Sequence, residues 1–169
     1  MTDDTLKRTA TTLLALAALF ALWAGWSWYA AAHDDSYAYS RTRDEVLQAG
    51  EQAVQNLNTL DYRNLEPGLR TWQDSTTSDL YRQITQGRAA FAEQVTKAQT
   101  ITKARILDAA VSELDERSGK ARILVAVEIT VTPPQGDPVT KQSRLVGKVT
   151  RTPAGWKLSE LGQAPASAA

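Results

Sequence analysis

The sequence predicts an α+β protein with an N-terminal transmembrane helix, then two to three helices packed on a curved four-stranded antiparallel sheet. Three observations support this prediction. Residues 9–32 contain no charged side chain, residues 36–95 carry apolar side chains at three- and four-residue intervals, and residues 101–161 are rich in Thr, Ile and Val. Helices followed by a run of strands are typical of an α+β domain, in which the helices cover one face of the sheet.

The uncharged stretch 9–32 is long enough to cross a membrane as a helix. At ~1.5 Å per residue its length would be about 36 Å, and the apolar core of a bilayer is about 30 Å thick. Aromatic side chains with a polar edge settle at the membrane–water interface. The sequence therefore predicts that four residues near the C-terminal end of this stretch are interface anchors: Trp23, Trp26, Trp28 and Tyr29.

A cleaved signal peptide is the alternative, because Lys7 and Arg8 precede the apolar run and 30–32 offers an A-x-A cleavage site. We favour a retained anchor, since the run is long and bulky aromatic residues fill its end. The basic pair adjoins the N-terminal end of the run. We therefore expect a single-pass protein of the cell membrane, with a cytoplasmic tail 1–8, a transmembrane helix 9–32, an exterior domain 33–162 and a disordered tail 163–169.

Three helical segments are expected in the first half of the exterior domain. Residues 36–60 carry one apolar stripe, which the turn-forming stretch 61–64 ends. A short helix follows, with Pro67 in its first turn. The capping-rich stretch 74–78 then introduces a third helix, which Gly87 would kink or interrupt.

Four strands are expected in the second half. The clearest is 121–131, where odd-numbered positions are apolar and predict one buried face. A less regular strand precedes it over 101–114, with a bulge near 108–110. Two more strands, 139–151 and 155–161, follow the proline-rich segment that ends the second strand.

Composition excludes several classes of site. The chain carries 19 basic and 19 acidic side chains, no cysteine, and one histidine, His33, at the membrane edge. A neutral domain without a basic run is a poor nucleic-acid binder. Disulfides and Cys-ligated metals are excluded, and the domain itself has no imidazole for acid–base chemistry. We expect no metal and no cofactor.

No enzyme motif is present, although the carboxyl and phenol groups of the domain include five candidates for acid–base chemistry: Asp61, Tyr62, Tyr81, Asp108 and Glu128. We expect Asp61 to be a helix cap, the two tyrosines to be core rings with wet hydroxyls, and Glu128 to be solvated or paired. The sequence therefore predicts a protein that is not an enzyme.

Four segments resemble actinobacterial Mce-associated membrane proteins (Mce for mammalian cell entry): 60–63, 71–77 leading into Leu80, 123–127 and 155–161. The resemblance extends over nearly the whole chain, in the order of its structural elements more than in its motifs. It implies one membrane helix and an exterior cone-shaped domain, cystatin-like or nuclear-transport-factor-like. It also implies an accessory role beside Mce-type lipid-transport complexes, with Mce-domain proteins and their permease as partners.

Two other functions stay open. The same cone fold on the same kind of anchor occurs in an assembly subunit of conjugation and type IV secretion machines. An envelope domain could also bind a lipid or sterol between helices and sheet, unless Trp72, Phe91 and Trp156 fill that space. For a protein–protein module, aromatic residues near helix ends are the expected contacts, and we predict partner binding by Trp72 and Tyr62.

Overall fold

The computed structural model describes residues 2–32 and 35–165, so His33 and residues 166–169 of the predicted disordered tail lie outside it. The chain divides into two compact units, Met1–Arg41 and Thr42–Ala169. The elements in chain order are α1 Thr2–Ala32, α2 Asp35–Leu57, β1 Leu60–Asp61, a 3₁₀ turn Tyr62–Asn64, α3 Leu65–Asp74, α4 Ser78–Ala98, β2 Ile101–Asp115, β3 Lys120–Thr132, β4 Val139–Thr152 and β5 Gly155–Gln163. The α+β class is confirmed.

The first unit contains one helix that is long and apolar enough to cross a membrane. The 18 residues Leu13–Ala30 have a mean hydropathy of 1.5, and none of this window is buried inside the protein. The predicted interface anchors are all exposed, and Trp26 and Tyr29 lie 6.5 Å apart between ring centroids. Exposed apolar side chains all round a helix are what contact with lipid requires.

The sheet has five strands in the order β1-β2-β3-β4-β5, all antiparallel, and not the four that we predicted. The additional strand is β1, in which Leu60 pairs with Thr102 and Asp61 with Ile101. Leu60 continues the apolar spacing of the preceding helix, and two residues are too few to show alternation. The sequence therefore gave no sign of β1.

The inner face of the sheet carries the core. Along β3 the odd-numbered residues Ala121, Ile123, Val125 and Val127 are buried, as the alternation predicted. The register of β2 against β3 shifts twice, once at Leu107 and once at Ser112. These two bulges flank the predicted position 108–110.

Helix α2 lies close against the inner face. Its Val46, Ala53 and Val54 belong to the same buried cluster as the β3 residues. At Gly50 the approach is so close that a Cβ atom would lie 2.4 Å from Ile123 Cδ1. Glycine is the residue that permits such an approach of a helix backbone to a side chain.

Helices α3 and α4 lie beside this core. Leu69 of α3 is buried, whereas α4 has no buried residue along its length and is held by a half-buried apolar stripe. Of the two effects predicted for Gly87, a kink or an interruption of the third helix, the interruption is wrong, because α4 runs unbroken from Ser78 to Ala98. The link between the two helices is tied to β5, since the Thr77 N–H donates to the Leu158 carbonyl at 2.9 Å.

Candidate interaction site beside Trp72

The site is built around an aromatic pair that joins two helices. Trp72 on α3 and Phe91 on α4 have ring centroids 5.1 Å apart and ring planes tilted by 41°. The Trp72 indole Nε1–H donates to the Thr59 carbonyl at 3.3 Å. Trp72 is half-buried. It is therefore part of the packing and also presents ring surface to solvent.

Two small cavities are lined in part by this pair. One, of about 250 Å³, lies between α3 and α4 and is lined by Leu69, Leu80 and Ile84 as well as by both rings. The other, of about 270 Å³, is bordered by residues of α2, β1 and β2. Both are smaller than the ~300–1,000 Å³ that is usual for small-molecule sites.

Gly87 lines the cavity between α3 and α4, which we call the α3–α4 groove. A Cβ atom at Gly87 would have no other atom within 4 Å, and the residue lines the groove. A mid-helix glycine costs about 0.5–1 kcal/mol relative to alanine. The groove is therefore open at this point because the side chain is missing.

Arg88, which lines the groove, links α4 to α3. Its guanidinium donates to Glu66 Oε2 at 2.5 Å and to Gln73 Oε1 at 3.0 Å, so that α4 is tied to α3 at two points. No local sequence pattern indicates the role of Arg88, because its partners lie 15 and 22 residues away along the chain. Only the arrangement of the two helices brings them together.

Tyr62 lies in the 3₁₀ turn, which packs against both α3 and α4. Its ring is half-buried and the Arg63 guanidinium lies 5.4 Å from the ring centroid. Arg63 Nε also donates to the Tyr62 hydroxyl at 3.4 Å, and this hydrogen bond raises the pKa of Arg63. The two predicted contact residues, Tyr62 and Trp72, thus lie on neighbouring elements. Their contact with a partner stays a prediction.

The five residues considered for acid–base chemistry lie on five different elements. Asp61 caps the 3₁₀ turn by accepting from the Arg63 N–H at 2.9 Å. The prediction that Tyr81 is a core ring is wrong, because this residue is 42% exposed on α4. Asp108 accepts from the Ala109 N–H. Among residues 2–32 and 35–165 no group of three His, Cys, Asp or Glu could hold a metal ion.

Glu128 is paired on the outer face of the sheet, as predicted for this residue. Its carboxylate accepts from Arg105 Nη2 at 2.9 Å and from Gln142 Nε2 at 3.4 Å. These hydrogen bonds, chiefly the one from Arg105, lower the pKa of Glu128. A carboxylate held in its charged form in this way is a poor general base.

A cavity of about 610 Å³, lined mostly by charged and polar residues, lies near the β2–β3 turn. Charged residues around it are paired with each other, Glu113 with Arg122 at 3.2 Å and Lys148 with Glu160 at 2.5 Å. Asp115 accepts hydrogen bonds within the turn, mainly from Ser118, and these lower its pKa. This lining does not suit an apolar ligand.

Comparison with known proteins identifies a family and a fold. The family model described as "Uncharacterized protein Rv1363c/MT1408-like" matches residues 6–165. A search of curated proteins found no match.

Several solved structures share the fold of the α+β domain. An IcmL-like type IV secretion system protein from Legionella pneumophila matches with a TM-score of 0.59 and 16% identity over 75% of this chain and 95% of that chain. The periplasmic domain of DotI matches with a TM-score of 0.59 and 16% identity over 72% of this chain and 94% of that chain. CagV from Helicobacter pylori, a VirB8 homolog of a type IV secretion system, matches with a TM-score of 0.54 and 15% identity over 70% of this chain and 95% of that chain. At such identities the likeness shows the fold alone.

Proposed function

The chain belongs to the Rv1363c/MT1408-like family, and we propose that it is a non-enzymatic, membrane-anchored subunit that assembles or stabilises a multiprotein complex of the cell envelope. One observation carries this proposal. An N-terminal helix fit to span a membrane is joined to a domain with the fold of periplasmic secretion-system domains. In this proposal residues 1–8 are cytoplasmic and the α+β domain lies outside.

A complex of the conjugation or type IV secretion kind is the better supported assignment. Two of the matched structures are described as type IV secretion system proteins, and neither the family description nor the three descriptions above name an Mce protein. The role beside an Mce-type lipid transporter rests on the sequence resemblance. It is the second candidate.

Two features favour protein contact over catalysis or lipid carriage. The acid–base candidates are dispersed over separate elements, and the side chains of Asp61, Tyr62, Asp108 and Glu128 are engaged in hydrogen bonds. The inner face between α2 and the sheet is filled by side chains that are almost completely buried, among them Ile123, Val127 and Leu158. An apolar ligand would have to occupy the small cavities beside Trp72.

We propose that the α3–α4 groove, with Trp72 and Tyr62, is where the exterior domain contacts its partner. Gly87→Leu tests this directly, because the new side chain would enter open space and fill the groove. The matched control is Gln86→Leu, which adds the same side chain at an exposed position one residue away. We expect Gly87→Leu to reduce partner recovery at least about tenfold and Gln86→Leu to leave it unchanged.

The measurement is affinity purification of tagged full-length protein from mildly solubilised native membranes, followed by mass spectrometry. Recovery of secretion or conjugation components supports the first candidate, and recovery of Mce-domain proteins with their permease supports the second. Equal recovery by both leucine variants would refute the groove as the contact. Recovery of no envelope protein by the wild type would refute the assembly function.

The orientation has its own test because the chain contains no cysteine. A single cysteine at exposed Gln86 should react with a membrane-impermeant maleimide in intact cells. Reaction only after the cells are lysed would place the domain in the cytoplasm.

A further inference from the structure

The outer face of the sheet, opposite the helices, carries an apolar row that crosses four strands. The register places Ala110 of β2 opposite Leu124 of β3, Leu124 opposite Val146 of β4, and Val146 opposite Gly162 of β5. Leu124 is 45% exposed, whereas its neighbours Ile123 and Val125 are buried. Leucine at the centre of a solvent-facing sheet is unusual, since antiparallel sheets normally alternate apolar inward and polar outward.

A second row next to it, Asp108–Ala126–Arg144, has opposite charges at its two ends. Asp108 lies on β2 and Arg144 on β4, with Ala126 of β3 between them. The Asp108 carboxylate accepts only from the adjacent Ala109 N–H, and the Arg144 side chain makes no ion pair or hydrogen bond within residues 2–32 and 35–165. A shallow depression of about 310 Å³ lies among Asp108, Leu124 and Arg144.

On the far side of the apolar row the charged side chains are paired within the copy. Glu113 lies on β2 and Lys148 on β4, with Arg122 between them on β3. This row continues to Glu160 of β5, opposite Lys148, and its ion pairs are Glu113–Arg122 and Lys148–Glu160. The opposite charges left for a second copy of this surface to match are therefore those of Asp108 and Arg144.

We propose that this outer face is the interface of a homodimer, formed by two copies related by a two-fold axis that runs along β3. Rotation about such an axis turns the sheet over and lays β4 of one copy on β2 of the other, while each row keeps its position. Asp108 then meets Arg144 of the second copy, twice per dimer, and Leu124 meets its own counterpart. A surface patch that serves both subunits in this way is characteristic of two-fold oligomers.

The absence of cysteine makes a single-cysteine test clean. Packed sheets lie about 10 Å apart, too far for a direct disulfide, so a short bismaleimide is the suitable reagent. In membranes that contain the full chain, Leu124→Cys should give a cross-linked dimer. Gln86→Cys on α4 is the control and should give at least about tenfold less.

Charge reversal provides the decisive comparison on the Leu124→Cys background. Arg144→Asp alone, or Asp108→Arg alone, brings like charges together and should reduce cross-linking about tenfold or more. The combined Asp108→Arg and Arg144→Asp variant restores the pairs and should return cross-linking to within about twofold of the parent. Both residues are exposed, and circular dichroism would verify that each variant folds.

Three results would overturn the proposal: equal cross-linking of Gln86→Cys and Leu124→Cys, no recovery in the combined variant, or a cross-linked product whose mass shows a different protein. This inference goes beyond the proposed function. A dimer would form whether the groove beside Trp72 binds a secretion component or an Mce component.

Discussion

Substitution of Gly50 by alanine tests how α2 is seated on the sheet. The added Cβ would lie 2.4 Å from Ile123 Cδ1 and 3.5 Å from Ile123 Cγ2. Ile123 cannot easily move away, because it is fully buried and lies against Gly147 of the adjacent strand, where a Cβ would lie 3.1 Å from Ile123 Cγ1. The variant therefore forces overpacking at the centre of the core.

The expected loss follows from two opposing effects. Overpacking of a well-packed core costs about 1–3 kcal/mol, whereas replacing a mid-helix glycine by alanine stabilises by about 0.5–1 kcal/mol. From the middle of each range, Gly50→Ala should thus lower the free energy of unfolding by about 1 kcal/mol. Ile123→Val removes the very Cδ1 atom that clashes and should alone cost about 0.5–1.5 kcal/mol.

The double variant decides whether the clash is the cause. With Cδ1 absent, the new methyl group occupies the space left behind, and the two losses should not add. We expect a coupling free energy of about 1–2 kcal/mol in favour of the double variant. Urea unfolding of the full chain in detergent micelles, followed by far-ultraviolet circular dichroism, gives the free energy of unfolding of the wild type and the three variants. The slope of this free energy against urea concentration should be the same for all four proteins.

Simple addition of the two losses, or a neutral Gly50→Ala, would refute the close approach. The matched control is Gly87→Ala on α4, where the added methyl group meets nothing within 4 Å. That variant should retain the gain in helix propensity without the clash.

Two further predictions concern Glu128 and Trp72. The lowered pKa of Glu128 means that its charged form stabilises the fold fully above its ordinary pKa of 4.5 and that this contribution is lost as pH falls through the lowered value. The gap in unfolding free energy between wild type and Glu128→Gln should therefore shrink on acidification below pH 4.5 in pH-dependent urea unfolding, and a similar change in the exposed control Glu93→Gln would contradict this. Trp72→Phe should lower the free energy of unfolding by about 0.5–1.5 kcal/mol, because it removes the indole hydrogen bond. Trp72→Ala also removes the ring pair and should lower the free energy of unfolding by about 2–4 kcal/mol. Equal losses in urea unfolding would show that contact with Phe91 contributes nothing.

Much of the fold could be predicted because its signals are local. Alternation along residues 121–131 identified β3 and its buried side. The Asp61 side chain caps the turn where a cap was expected, and β3 ends before the proline-rich segment, as predicted. Each of these features depends on residues that are close in the sequence. For the same reason, the uncharged stretch predicted a helix that is long and apolar enough to span a membrane.

The candidate sites could be predicted only in part. Trp72 was named as a partner contact, and the structure shows that it also packs on Phe91 and bonds to Thr59. The groove beside it depends on Gly87 and on the tie from Arg88 to α3, which only the placement of two helices creates. No short-range pattern encodes that placement.

What the sequence by itself determined is the order of the helices and of the four long strands, the lack of cysteine and of any histidine other than His33, and one face of β3. The tertiary structure alone decided which residues of β2 point outward. The bulges at Leu107 and Ser112 each insert one residue, and because side chains alternate with a period of two, each insertion reverses the alternation beyond it. The alignment of Asp108 with Arg144 across three strands therefore exists only once the register is set.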